Sequence, residues 1–243
     1  MRSFFFLFIL LISTACQTNP LRSLEHHLGV SKLASLKRAA NQERWELTDN
    51  PDWNRALILK DLQILGFVEA VKPGKKHYQT AVLLGSTGPR MQDRIDYLVK
   101  TWVDGVRFKR IVFLTGDRDL IEIDGPHALK NETQLFQYLW AHTNLPKDLK
   151  KLPTLWIDAP KIGNKRPTTV STIIEWRKQE NLDHEDILAF SNQPFVRYQE
   201  CALLNYLPEM AKVSAAGPAA TPDTLIQVYI DALVNCQEFC PVN

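Results

Sequence analysis

A chain of 243 residues suits one large domain or two small ones. With 45% hydrophobic and 23% charged residues it can bury a sizeable core, which excludes a disordered chain. The formal charge of +2 gives no reason to invoke nucleic acid or an acidic macromolecular partner.

The first residues read as an export signal. Met1-Arg2-Ser3 is a short positive region, Phe4 to Ile12 is unbroken apolar sequence, and Ser13-Thr14-Ala15-Cys16 is a small-residue cleavage zone. The apolar run is about half the ~20 residues that a spanning helix needs. Cys16 resembles the lipidated cysteine of a bacterial lipobox, which predicts a signal peptide over 1–15 and an acyl group on Cys16. The expected location is the bacterial cell envelope, facing the periplasm, with the lipid anchored in the outer membrane.

Residues 16–50 are polar and read as a tether with one helix, in which Leu33, Leu36 and Ala40 form a weak apolar stripe. A single α/β domain is expected over 51–243. Asp52 can cap a helix carrying Trp53, Leu57, Ile58, Leu62 and Leu65, which Gly66 can stop. Lys72 to Lys76 is a turn. From there apolar runs alternate with amphipathic stretches. Four strands are expected at 80–84, 110–114, 154–158 and 186–190. A helix through Met91, Ile95, Leu98 and Trp102 follows the first, and one from near Asn131 follows the second. A helix over 168–178 follows the third, and one through Tyr198, Cys201 and Leu204 follows the fourth. Residues 213–220 can add a last strand, and Thr221-Pro222 can open a terminal helix. Buried strands without period-two alternation, interleaved with helices, predict a Rossmann-like, doubly wound and mainly parallel sheet with helices on both faces.

Ligands in such sheets bind beyond the carboxyl ends of the strands. The first strand delivers Gly85, Ser86, Thr87 and Gly88 there, with Arg90 and Arg94 one and two turns into the next helix. The second delivers Thr115, Gly116, Asp117 and Asp119. The third is followed by Lys161, Lys165, Arg166 and Thr168. The fourth delivers Ser191, Asn192 and Gln193, with Arg197 beyond. Hydroxyls, glycines, helix N-termini and arginines at one edge suit an anionic, phosphorylated or nucleotide-like small molecule. Arg94 and Arg197 are expected to turn toward an anion held by the amides of Ser86 and Thr87. The run 85–88 is neither a P-loop nor a dinucleotide fingerprint, and no Gly-x-Ser-x-Gly elbow is present. No motif requires a cofactor. The histidines are scattered without metal spacing, and no metal is expected, although Asp117, Asp119 and Glu132 could meet around a hard cation. Cys201, Cys236 and Cys240 allow one disulfide between two of them in an oxidising compartment.

The strand ends resemble the ElyC/SanA/YdcF family of bacterial envelope-associated proteins over residues 78–210. Gly85 and Arg94 match a Gly-ended strand and the Arg of its following helix. Thr115-Gly116-Asp117 matches the second strand end, and Glu132 an early helical Glu. Thr168 matches a position of the third loop, and Ser191 and Arg197 match the fourth segment, where Pro194 replaces a His. The resemblance implies a role in cell-envelope homeostasis and a ligand set of Gly85, Arg94, Thr115, Gly116, Asp117, Glu132, Arg166, Thr168, Ser191 and Arg197. Two roles stay open: binding of an anionic small molecule, with or without catalysis, or a degenerate, non-catalytic module acting as a lipid-anchored scaffold. No catalytic residue is assigned.

Overall fold

The computed structural model describes residues 19–39, 42–125 and 128–240. The expected signal peptide and the lipidation site Cys16 lie outside the described residues. Five strands form one sheet: β1 (Thr80–Leu84), β2 (Arg110–Gly116), β3 (Thr154–Ala159), β4 (Asp186–Phe190) and β5 (Lys212–Ala216). Their order is β3-β2-β1-β4-β5, and every pairing is parallel. This is the Rossmann-like α/β order, and the chain reverses its direction of travel between β1 and β4.

Side-chain alternation along the strands feeds two cores. On one face Ala81, Leu83, Ile111 and Phe113 pack against α3 (Gly88–Val103) and α4 (Glu132–His142). On the other, Val82, Leu84, Val112 and Leu114 pack against α5 (Thr169–Gln179) and α6 (Val196–Tyr206). β1 is buried along its whole length, as a central parallel strand must be. Each fully buried Val, Leu, Ile or Phe contributes ~1.5–3 kcal/mol, so these strands anchor the sheet edge from which the loops project.

A third cluster lies under α1 (Pro20–Leu28), α2 (Arg55–Ile64) and α7 (Ile226–Phe239). Residues 19–50, expected as a tether with one helix, enter this core through Leu24, Leu28, Leu33 and Leu47. Asn54, not Asp52, caps α2, its Oδ1 accepting from the Leu57 amide at 3.3 Å. Gly66 ends that helix with φ +80°, a conformation glycine adopts without a Cβ clash. The terminal helix begins at Ile226 rather than at Thr221-Pro222. The Asp49 carboxylate accepts from the amides of Ile226 and Gln227 at 3.0 and 2.9 Å, so the N-terminal segment supplies the cap of α7. Cys201 is disulfide-bonded to Cys240, which ties α6 to the end of α7. Among the described residues no helix is long and apolar enough to cross a membrane.

Candidate anion-binding crevice

The carboxyl edge of the sheet opens into a crevice of about 80 Å³. One buried water needs ~10–15 Å³, so the space admits a compact oxyanion group rather than a whole small-molecule ligand of ~300–1,000 Å³.

Two glycines shape its floor by what they leave out. A Cβ on Gly85 would stand 2.0 Å from Glu132 Oε1, so the missing side chain at the tip of β1 admits the carboxyl of α4. A Cβ on Gly116 would stand 2.6 Å from the Pro167 ring, so the tip of β2 admits the loop that leads into α5. That loop brings Arg166, Thr168 and Thr169 to the wall. Thr168 caps α5 in a reciprocal pair with Ser171. The amides of Ser86 and Thr87, just before α3, donate to no backbone carbonyl among the described residues. The N-terminal ends of α3 and α5 therefore meet at one opening, where backbone N–H groups favour negative charge.

Five arginines line the crevice: Arg44, Arg90, Arg94, Arg118 and Arg166. Arg118 is committed to the fold. Its guanidinium donates to both Asp124 oxygens at 2.8 and 3.1 Å, to Glu132 Oε2 at 2.9 Å and to Ser86 O at 2.9 Å. Burial works against its charge, but the hydrogen bonds to Asp124 and the adjacent Glu132 raise its pKa above the ordinary arginine value. Arg166 pairs with Glu43 through two contacts of 2.7 and 2.6 Å, and Arg44 pairs with Asp231 at 2.5 Å.

Arg90 and Arg94 have no carboxylate within ion-pair distance among the described residues. Arg94 is buried, donating from Nε to Asn192 Oδ1 at 2.7 Å and from Nη1 to the carbonyls of Leu84 and Gly85. Its Nη2 makes no hydrogen bond to the described residues. Burial and then the neighbouring charge of Arg90 push its pKa down to about 9. Arg90 lies over the Phe195 ring at 4.9 Å and Arg44 over the same ring at 4.6 Å. Burial, followed by the like charge of Arg44, pushes Arg90 down to about 10. Glu132 is the one acidic lining residue among the described residues, and burial raises its pKa against the opposing pull of Arg118 and Arg94. A polyanion placed here would relieve the repulsion among these guanidiniums.

Of the expected ligand residues, Gly85, Ser86, Thr87, Arg94, Gly116, Glu132, Arg166 and Thr168 line the crevice together, and Arg90, read at the same edge, joins them. Four do not. Thr115 alternates with the lining residues Leu114 and Gly116, so its hydroxyl faces away and bonds Ile157 O and Thr133 Oγ1, each at 2.8 Å. Asp117 accepts from Asn131 at 3.1 Å, beside the start of α4. Ser191 is fully buried and donates to Gln199 Oε1. Arg197 sits between Phe195 and Gln199, which both line the wall. At 3.6 residues per turn it faces the other side of α6, where its charge reaches Glu200 and Cys236. The expected joint grip of Arg94 and Arg197 on one anion is therefore corrected: Arg90 stands where Arg197 was expected. Asp117, Asp119 and Glu132 have separate partners in Asn131, Lys161 and Arg118. Among the described residues no acidic, His or Cys group is arranged to hold a metal ion.

Sequence reading missed Arg44, Trp45, Arg118, Phe195 and Gln199. Arg118 carried a usable signal, since it follows the tip of β2 directly. Arg44 carried none, because its ion pair joins residues 187 positions apart. Comparison with known protein families, curated proteins and solved structures finds no match to the chain.

Proposed function

We propose that this chain is a cell-envelope lipoprotein of the ElyC/SanA/YdcF kind whose Rossmann-like domain binds a phosphorylated or other anionic small molecule. The observation that carries the binding reading is the pair Arg90 and Arg94, two guanidiniums at one crevice without carboxylate partners among the described residues. The amides of Ser86 and Thr87 add neutral donors beside them. The disulfide between Cys201 and Cys240 supports an exported chain, because such bonds persist in oxidising compartments. The alternative, a non-catalytic scaffold, draws on the commitment of Arg118 to internal partners and on Pro194 at the position of the family's His.

Titration calorimetry with inorganic phosphate tests the binding reading. A charge-assisted hydrogen bond contributes ~1.5–3 kcal/mol. Arg90→Ala should therefore weaken phosphate binding about tenfold or more. Its melting temperature should stay near wild type, because Arg90 makes no side-chain hydrogen bond to the described residues. Equal affinity in the two proteins, or no phosphate binding at all, refutes the site. The anchor is tested separately by mass spectrometry of membrane-extracted protein, which should show residues 1–15 removed and acyl mass on Cys16. An unmodified Cys16 would rule the anchor out.

A further inference from the structure

Glu132 carries an acceptor that the fold does not use. Its Oε2 accepts from Arg118 Nε at 2.9 Å. Its Oε1 lies against Gly85, in the volume of the absent Cβ, and accepts no hydrogen bond from the described residues. That oxygen is not sealed in, because Gln193 Oε1 is the one fully buried side-chain polar atom without a partner among the described residues. Glu132 lines the crevice, and its side chain keeps 11% of its surface exposed. Oε1 is therefore an unpaired acceptor open to the space where an anion would bind.

An acceptor at an anion site has a consequence for which anion fits. Burial raises the Glu132 pKa, but the guanidiniums of Arg118, Arg94 and Arg166 face it and favour its ionised form. An ionised carboxyl accepts hydrogen bonds and has none to give. Beside an oxyanion without a proton, two acceptors stand face to face, both unpaired and both negative. An oxyanion that carries a proton avoids this by donating it in a hydrogen bond to Oε1. Its other oxygens then accept from Arg90, Arg94 and the amides of Ser86 and Thr87.

We infer that Glu132 makes the crevice selective for hydrogen phosphate, inorganic phosphate that keeps one proton, over sulfate and over the phosphate group of an ester. This inference rests on the anion-binding reading above and narrows the ligand of that site. Sulfate has no proton at neutral pH, and a phosphate monoester loses its last one near pH ~6. A crevice of about 80 Å³ suits an ion of this size without an organic half.

Calorimetry on the full chain at about pH 8 with phosphate, sulfate and methyl phosphate tests this. All three are compact tetrahedral dianions there, so arginines and amides alone would not rank them by charge. Wild type should bind phosphate about tenfold more tightly than either of the others, the factor that one poorly matched polar contact costs. Glu132→Gln keeps a carbonyl oxygen for Arg118 and offers an amide N–H to the crevice, so it should bind sulfate at least as tightly as phosphate. Its melting temperature shows whether the fold is kept. If wild type binds sulfate or methyl phosphate as tightly as phosphate, this inference falls and the anion site stands, whether or not the variant folds. A phosphate preference that persists in a folded Glu132→Gln also overturns it. If none of the probes binds, the anion site itself fails and takes this inference with it.

Discussion

At the scale of the residue, the crevice is set by atoms that are missing as much as by those present. Gly85 has a φ that other residues can adopt, so its requirement is space alone: Glu132 Oε1 occupies the volume of its absent Cβ. Gly85→Ala should displace the Glu132 carboxyl, disturb its contact with Arg118, and cost ~1–3 kcal/mol as overpacking does. Chemical denaturation would measure this, and a loss under half a kilocalorie would show that Glu132 moves aside freely. The same scale explains what the sequence could not reveal. Strand ends and their small residues were legible, because apolar runs end where glycine and hydroxyl residues begin. Side-chain direction was not. Thr115 and Gly116 differ by one step of the pleat, and Arg197 and Gln199 by two steps of a helix, yet only Gly116 and Gln199 reach the crevice.

At the scale of the element, the start of α3 depends on a cap from outside its own neighbourhood. Thr87 makes no side-chain cap, and the amide of Gly88 donates instead to Asp124 Oδ1 at 2.7 Å. Asp124 lies in the short 3-10 turn Glu122–Asp124 and also holds both terminal nitrogens of Arg118. Its pKa is lowered: burial opposes its charge, but the hydrogen bonds from Arg118, Ile121 and Gly88 outweigh that burial. A carboxylate with a depressed folded pKa stabilises the fold above its ordinary value near 4 and loses that contribution as pH falls through the folded value. Asp124→Ala removes the partner of a buried cation and should cost ~3–5 kcal/mol at neutral pH. The difference from wild type should shrink in the acid range. A pH-independent difference, or one below about 1 kcal/mol, would mean that Glu132 alone suffices for Arg118. The first four strands and their helices were readable from apolar periodicity because each element buries its own stripe. This cap was not readable, because it joins residues 36 positions apart through a side chain in an irregular loop.

At the scale of the whole molecule, the N-terminal segment, α7 and the crevice form one mechanical unit. Asp231 on α7 is buried and holds both Arg38 and Arg44, while Asp49 caps the same helix. The position of Arg44 at the crevice therefore depends on how firmly α7 is seated. The Cys201–Cys240 bond seats its far end and spans 39 residues, including β5 and all of α7. The chain-entropy relation gives about 4 kcal/mol for a loop of that length, near the top of the ~2–4 kcal/mol commonly measured. Cys236 lies close by, with its Sγ 3.9 Å from that of Cys201. Burial pushes the Cys236 thiol up to about 11, so at neutral pH it stays protonated and attacks the neighbouring disulfide poorly. Cys201→Ser removes the bond without leaving Cys236 a partner on α6. It should lower unfolding free energy by ~2–4 kcal/mol, and dithiothreitol should lower the wild type to the same level without affecting the variant. Free-thiol counting under denaturing conditions completes the test. Wild type should lose Cys201 and Cys240 together from the reactive pool and keep Cys236. A protected Cys236 would mean that α7 is seated by a different pairing, through Cys236 rather than through the Cys201–Cys240 bond.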